Sequence, residues 1–249
     1  MWLLLHGFTG SPRSWTRVLA HARLDKPPLV PTLAGHGRDW RSRRVDTLQD
    51  EIARIVSLVS NAERPRLLCG YSMGARVASS LLVGHPNLFD AAVLIGVHPG
   101  LTDEFARTER RRADARWTRL LREQGLPAFV AAWEAQPLFE SQRTLPREAL
   151  AAQRDIRLSH DAEGLARSLE VLGLAETPDV RSAMRSLEIP VTFVTGSLDS
   201  KFRELAAALA NDGNALDAQV VDSVGHNVVL EAPAAVAALL RRAEEDVLG

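Results

Sequence analysis

Cysteine is almost missing from this chain: among 249 residues only Cys69 carries a thiol. No internal disulfide can brace the fold, and a reducing compartment, the cytoplasm, suits a protein that must rely on its core. Charge of one sign is also lacking, since 30 Lys and Arg balance 31 Asp and Glu, and with it goes the electrostatic footprint of a nucleic-acid binder. No apolar run approaches the roughly eighteen residues of a bilayer span, and Trp2-Leu3-Leu4-Leu5 is too short for the apolar segment of a secretory signal. No membrane partner is expected. Repeats, low-complexity tracts and Gly/Ser linkers are absent, so a second module can only be an insertion.

What is present is 46% hydrophobic residues, enough to bury one sizeable core. Short apolar runs at residues 2–5, 66–69, 91–97, 191–195 and 218–221 are bounded by Gly, Pro or Asp, as buried parallel strands are. Between them lie helical patterns. Val45, Leu48, Ile52, Ile55, Val56 and Val59 recur at steps of three and four, and 75–83 and 234–240 read likewise. This alternation predicts an α/β fold, a mostly parallel sheet covered by helices on both faces, with its functional groups on loops at the carboxyl ends of the strands. From about His98 to Leu187 the alternation stops and the sequence becomes helical, Arg-rich and Trp-bearing. The expected organisation is a core formed by 1–98 and 188–249 and a helical lid formed by 99–187, which would roof the pocket.

Gly70-Tyr71-Ser72-Met73-Gly74 follows one predicted strand and opens a helix. A strand-to-helix turn this tight needs small residues two positions either side of the serine and leaves its hydroxyl exposed: a nucleophile elbow. Such a serine needs a base, and the base an orienting carboxylate, in the chain order Ser, Asp, His. Asp199 follows the 191–195 strand and His226 follows the 218–221 strand. Asp179 and Asp222 are the rival carboxylates, but only Asp199 has the expected place at a strand end. Donors for a developing oxyanion are expected from the backbone N–H groups of Met73 and of Phe8, within His6-Gly7-Phe8-Thr9-Gly10.

With Ser72, Asp199 and His226 in this order, the chain resembles the α/β-hydrolase superfamily over essentially its whole length. Its closer resemblance is to the 2-succinyl-6-hydroxy-2,4-cyclohexadiene-1-carboxylate synthases of menaquinone synthesis. The residues that carry it are His6-Gly7-Phe8-Thr9-Gly10, Gly35-His36-Gly37, the elbow with Arg76 four residues after the serine, His98-Pro99-Gly100-Leu101, Asp199-Ser200-Lys201-Phe202 and Gly225-His226-Asn227. The resemblance implies a lyase that removes pyruvate, without metal or organic cofactor, from a small substrate bearing three carboxylates. It also implies substrate-binding roles for Arg76, Arg110 and Arg154, and for the aromatic residues Tyr71, Trp133 and Phe139.

Planar guanidinium forks suit such a polycarboxylate. Pattern alone does not select Arg110 from Arg107, Arg111 and their neighbours, because they alternate with acidic residues as on a solvated helix face. Trp133, beside Phe129 and Val130, reads equally well as lid core. Two rival functions share the same signature: a serine esterase or carbon–carbon hydrolase, and a non-catalytic ligand receptor on the same scaffold. The sequence departs from the family in beginning at the strand that carries His6, so one or two preceding strands are expected to be missing, and in lacking the Asp and Pro usual before Gly35-His36-Gly37.

Overall fold

Uninterrupted apolar runs are stable as strands only where both faces are covered, and each run found here occupies such a position. The computed structural model describes residues 1–43, 45–211, 213 and 215–249. Five parallel strands, β1 (Trp2–Leu5), β2 (Leu67–Tyr71), β3 (Ala91–Ile95), β4 (Val191–Gly196) and β5 (Leu216–Val221), lie side by side in chain order. The register sets Leu3 opposite Leu68 and Leu68 opposite Ala92. The helices are α1 (Thr16–Ala22), α2 (Leu48–Val59), α3 (Met73–Gly84), α4 (Glu104–Glu134), α5 (Arg147–Leu158), α6 (Ala162–Leu172), α7 (Arg181–Met184), α8 (Ser200–Ala210), α9 (Val228–Glu231) and α10 (Pro233–Leu248).

Side-chain alternation divides the core into two layers. Trp2, Leu4, Cys69, Val93 and Ile95 pack against α1, α9 and α10. Leu3, Leu5, Leu68, Leu94 and Phe193 pack against α2, α3 and α8. On the far edge of β1, Leu29 forms a one-residue parallel bridge with Leu3; the Leu4 N–H donates to its carbonyl at 2.9 Å, and its own N–H donates to the Trp2 carbonyl at 2.8 Å. After β1 the chain therefore turns first to one side and then, through α2, to the other. A reversal of winding opens a crevice at the strand ends, where Ser72 lies.

The stripe predicted over 45–59 becomes helical at Leu48. Thr47 stops it there: its hydroxyl accepts from the Asp50 N–H at 3.1 Å while the Asp50 carboxylate accepts from the Thr47 N–H at 2.9 Å, a reciprocal cap. Between β3 and β4 no strand occurs among the described residues. Asp103 caps α4 and Asp161 caps α6. At Gly125, whose φ is 78°, α4 breaks into two helices, a backbone conformation that glycine adopts without strain. Leu121, Phe129, Val130, Leu165 and Ala166 give this helical segment a small core of its own, against which Phe8, Trp117 and Trp133 pack. Among the described residues, no helix is long and apolar enough to cross a membrane.

Candidate active site

At the β2–α3 turn Ser72 has φ 53° and ψ −107°, a strained combination for a residue with a side chain. Its N–H donates to the Ile95 carbonyl at 2.8 Å, and its neighbours permit no slack. A Cβ on Gly70 would stand 2.6 Å from the Gly74 carbonyl oxygen, and one on Gly74 would meet the Leu5 carbonyl. The serine is thereby held, partly exposed, at the N-terminus of α3.

Asp199 leads from β4 into α8, and His226 lies in the loop between β5 and α9. The structure brings both to Ser72. His226 Nε2 is 3.0 Å from Ser72 Oγ, and His226 Nδ1 is 2.7 Å from Asp199 Oδ2. Because a carboxylate only accepts, Nδ1 carries the hydrogen and Nε2 is left as the base. Phe202 and Tyr71 flank the imidazole at ring-centroid distances of 4.4 and 5.6 Å, and Gly96 lets it pack close, since a Cβ there would be 2.8 Å from its Cε1. His226 and Asp199 are buried. The rival carboxylates lie elsewhere: Asp179 pairs with Arg181 at 2.6 Å, and Asp222 is exposed.

The loop carrying Phe8 is fixed by three buried histidines. His6 Nε2 accepts from the Leu33 N–H at 3.1 Å while its Nδ1 donates to the Gly7 carbonyl at 2.9 Å. His36 Nε2 accepts from the Thr9 N–H at 3.1 Å and its Nδ1 donates to the Ala34 carbonyl at 3.0 Å. His160, between α5 and α6, accepts from the Gly37 N–H at 2.9 Å and donates to the Thr9 carbonyl at 3.1 Å. Each ring needs one nitrogen bare, so all three are neutral. Burial pulls His6 down to about 3 and His36 and His160 below the ordinary histidine range. Among the described residues, the N–H groups of Phe8 and Met73 have no partner, the condition for donors that await an oxyanion.

Cations gather beside the serine. Arg76, in the first turn of α3, donates from Nη2 to the Leu172 carbonyl at 3.1 Å, and its buried Nε has no partner. It makes no ion pair among the described residues. Burial, reinforced by the Arg110 charge, pulls its pKa down to about 9. His98, also buried, is held at about 4 by burial first and then by the charges of Lys201, Arg76, Arg181 and Arg110. Geometry separates the arginines that pattern could not. Arg107 bonds the carbonyls of Leu101, Ala175 and Thr177, and Arg111 pairs with Glu104 and Glu176. Arg110, paired with Asp114 at 2.9 Å, is the one within electrostatic reach of Arg76.

The other expected residues divide. Trp133 stacks on Phe129 at 5.5 Å and meets Phe8 edge-on at 5.1 Å, its buried Nε1 without a partner. The Tyr71 ring covers Gly7, where a Cβ would be 2.8 Å from Cδ1, and Phe139 is buried beside Trp133. Arg154 is placed differently from a residue facing the reaction centre: its side chain is 43% exposed and is bound to Glu134. The buried guanidinium of α5 is Arg157, 4% exposed, which the sequence reading passed over. Its signal was there, because residues 149, 153, 156 and 157 fall at helical spacing on one face. Together with Tyr71, Phe139 and the Gly7–Phe8 turn, Arg157 lines a cavity of about 270 Å³. No group of three or more His, Cys, Asp or Glu among the described residues is arranged to hold a metal ion.

Comparison with known proteins agrees with this architecture. Residues 2–239 match the model of the alpha/beta hydrolase family. The chain is 36% identical over 242 residues to 2-succinyl-6-hydroxy-2,4-cyclohexadiene-1-carboxylate synthase from Enterobacter sp. (strain 638), covering 96% of this chain and 90% of the relative. It is 36% identical to the enzyme of that name from Escherichia coli O1:K1 / APEC, covering 96% and 92%. In structure it is similar to MenH from S. aureus, with a TM-score of 0.91, 24% identity and coverage of 100% and 94%, and to a thermophilic esterase from Thermogutta terrifontis, with a TM-score of 0.81, 24% identity and coverage of 99% and 89%. By fold, by the order of its site residues and by identity along nearly its whole length, the chain belongs to the alpha/beta hydrolase family and, within it, to the 2-succinyl-6-hydroxy-2,4-cyclohexadiene-1-carboxylate synthases.

Proposed function

We propose that the protein is a lyase that eliminates pyruvate from 2-succinyl-5-enolpyruvyl-6-hydroxy-3-cyclohexene-1-carboxylate to give 2-succinyl-6-hydroxy-2,4-cyclohexadiene-1-carboxylate in menaquinone synthesis. The observation that carries the reading is the meeting of two things: a relay from Asp199 through His226 to Ser72, and, one helical turn away, the buried cation Arg76, which forms no salt bridge among the described residues. A hydrolase of neutral esters has no use for the second. A soluble small polycarboxylate in the cytoplasm is the substrate this charge fits.

In this mechanism Ser72 and His226 act together as a base on the carbon acid alpha to the succinyl ketone. The proton passes to His226 Nε2, and Asp199 stabilises the imidazolium through Nδ1. The electrons of the broken C–H bond move onto the ketone oxygen, which the Phe8 and Met73 N–H groups receive as it gains charge. Collapse of this enolate forms the new ring double bond and displaces the existing one. The C–O bond to the enolpyruvyl group breaks, and pyruvate leaves as its enolate, which takes up a proton. Ser72 need form no acyl intermediate. Arg76 and Arg110 would bind carboxylates, the helical segment 99–187 would act as the roof, and Trp133, Tyr71 and Phe139 would exclude water. Arg154 would act through Glu134, to which it is bound.

Incubation with the enolpyruvyl substrate, with pyruvate followed by lactate dehydrogenase, tests the reading. Rapid pyruvate release that Ser72→Ala abolishes is the expected result. Fast turnover of small esters with no pyruvate release would replace it with the esterase reading.

A further inference from the structure

The His98-Pro99-Gly100 turn, which joins β3 to the helical segment, carries part of the family resemblance but has no part in the mechanism proposed above. It is firmly pinned. The Pro99 carbonyl accepts from the Val180 N–H at 2.8 Å, and the Gly100 carbonyl accepts from Arg181 Nη2 at 3.1 Å. At the head of the turn His98 Nδ1 accepts from the Gly100 N–H at 3.2 Å, which leaves the ring hydrogen on Nε2. His98 is 9% exposed, and among the described residues its Nε2 has no partner. The ring stands edge-on to Phe202 at 6.4 Å, and Phe202 lies 4.4 Å from the His226 ring. Lys201, Arg76, Arg181 and Arg110 are close enough to act on it electrostatically. A fixed ring thus offers an unused N–H donor in the midst of the cations beside Ser72.

We infer that His98 is a further catalytic residue, its Nε2–H hydrogen-bonding the bridging oxygen of the enolpyruvyl group as the C–O bond breaks. The inference rests on the function proposed above. The leaving group carries its carboxylate and its bridging oxygen on one carbon, so a cation for the first and a donor for the second must be neighbours in the protein. His98 among Arg76, Arg110 and Lys201 meets that demand. In this step the enolate electrons form the new ring double bond, the existing one shifts along the ring, and the C–O pair passes to the departing oxygen. His98 keeps its proton throughout. A neutral imidazole stabilises the growing negative charge with its N–H dipole and is not consumed; burial and the cationic neighbours keep the ring neutral. The pyruvate enolate then takes a proton at its methylene carbon from water, and His226 gives up its own to solvent. Ser72 and His226 serve the C–H bond, and His98 serves the C–O bond.

The test separates the two bonds. His98→Asn keeps an acceptor where Nδ1 meets the Gly100 N–H but removes the donor at the Nε2 position, whereas His98→Gln brings an amide N–H₂ toward that position. Both are assayed in heavy water, with pyruvate followed by lactate dehydrogenase and deuterium in the unreacted substrate followed by mass spectrometry; Ser72→Ala gives the background exchange, and thermal unfolding checks that the variants fold. For His98→Asn, pyruvate release should slow by roughly 100-fold while unreacted substrate gains deuterium alpha to the ketone, and glutamine should restore part of the rate. Wild type commits each enolate to elimination, so its unreacted substrate stays at background. A merely structural role would slow exchange and release together. That outcome, or release by His98→Asn at the wild-type rate, overturns the inference and leaves the lyase reading standing. A wild type that releases no pyruvate overturns both.

Discussion

Replacing Arg76 by Met should make the protein more stable and nearly inactive. Burial lowers the Arg76 pKa from 12.5 to about 9, so keeping the side chain charged in the fold at neutral pH costs on the order of 5 kcal/mol. Methionine is of similar length and carries no charge. It forfeits the bond to the Leu172 carbonyl, a loss of about 1–2 kcal/mol, leaving a net gain of roughly 3–4 kcal/mol. For a chain of this size that raises Tm by about 6–16 °C. The same change removes the counter-charge for a substrate carboxylate, which should lower kcat/KM by at least about 100-fold. Denaturant titration and pyruvate release, measured on one preparation, give both numbers. A variant less stable than wild type, with unaltered kinetics, would refute the reasoning on both counts.

Asp199→Asn should leave the fold intact but reduce turnover by about three to four orders of magnitude, because an amide can turn its N–H₂ toward Nδ1 and favour the wrong tautomer; pre-steady-state pyruvate release measures it. Stability should fall as pH drops. His6, His36, His98 and His160 have folded-state pKa values below the unfolded value of 6.5, reaching about 3 for His6 and about 4 for His98. The unfolded chain therefore takes up protons that the native state refuses, and the loss should run from about pH 6.5 down toward pH 3–4. Urea midpoints across that window check it, and His160→Gln should flatten the slope while slowing turnover. Gly100→Ala should destabilise by several kcal/mol, on the order of 3 or more, since the φ is 106° and a Cβ would meet the Pro178 carbonyl; thermal unfolding reads this directly.

Much of the fold could be read in the sequence because parallel strands buried on both faces leave continuous apolar runs, and because an elbow serine requires its two glycines. The Leu29 bridge was not legible. A single paired residue among Pro27, Pro28 and Pro31 leaves no periodicity, although it is what reverses the winding at β1. Strand β5 extends to Leu216, two residues before the predicted start, because Asp217 on this half-exposed edge strand interrupts the apolar run. Around the site, Ser72, Asp199 and His226 were recoverable from order and strand position alone. The arginines were not, since a guanidinium that faces a cavity and one that caps a carbonyl, as Arg107 does, look alike in a string of letters. Arg157 was hidden for a further reason: a charged residue on an apolar stripe is discounted as an interruption, when it can be the functional group that the stripe surrounds.

The imidazole of His160 joins the corner between α5 and α6 to both the Phe8–Thr9 loop and Gly37. Mechanically, that corner is a fixed anchor: drawing it outward would strip two sheltered backbone groups of their partners and loosen the very amide that must receive the enolate. The first half of α4 is tied to the same anchor, since Arg122 pairs with Glu163 and Glu170 of α6 and Leu121 shares a buried cluster with Leu165 and Ala166; roof and oxyanion cradle are thus braced by one continuous set of contacts, so that loosening either one slackens the other.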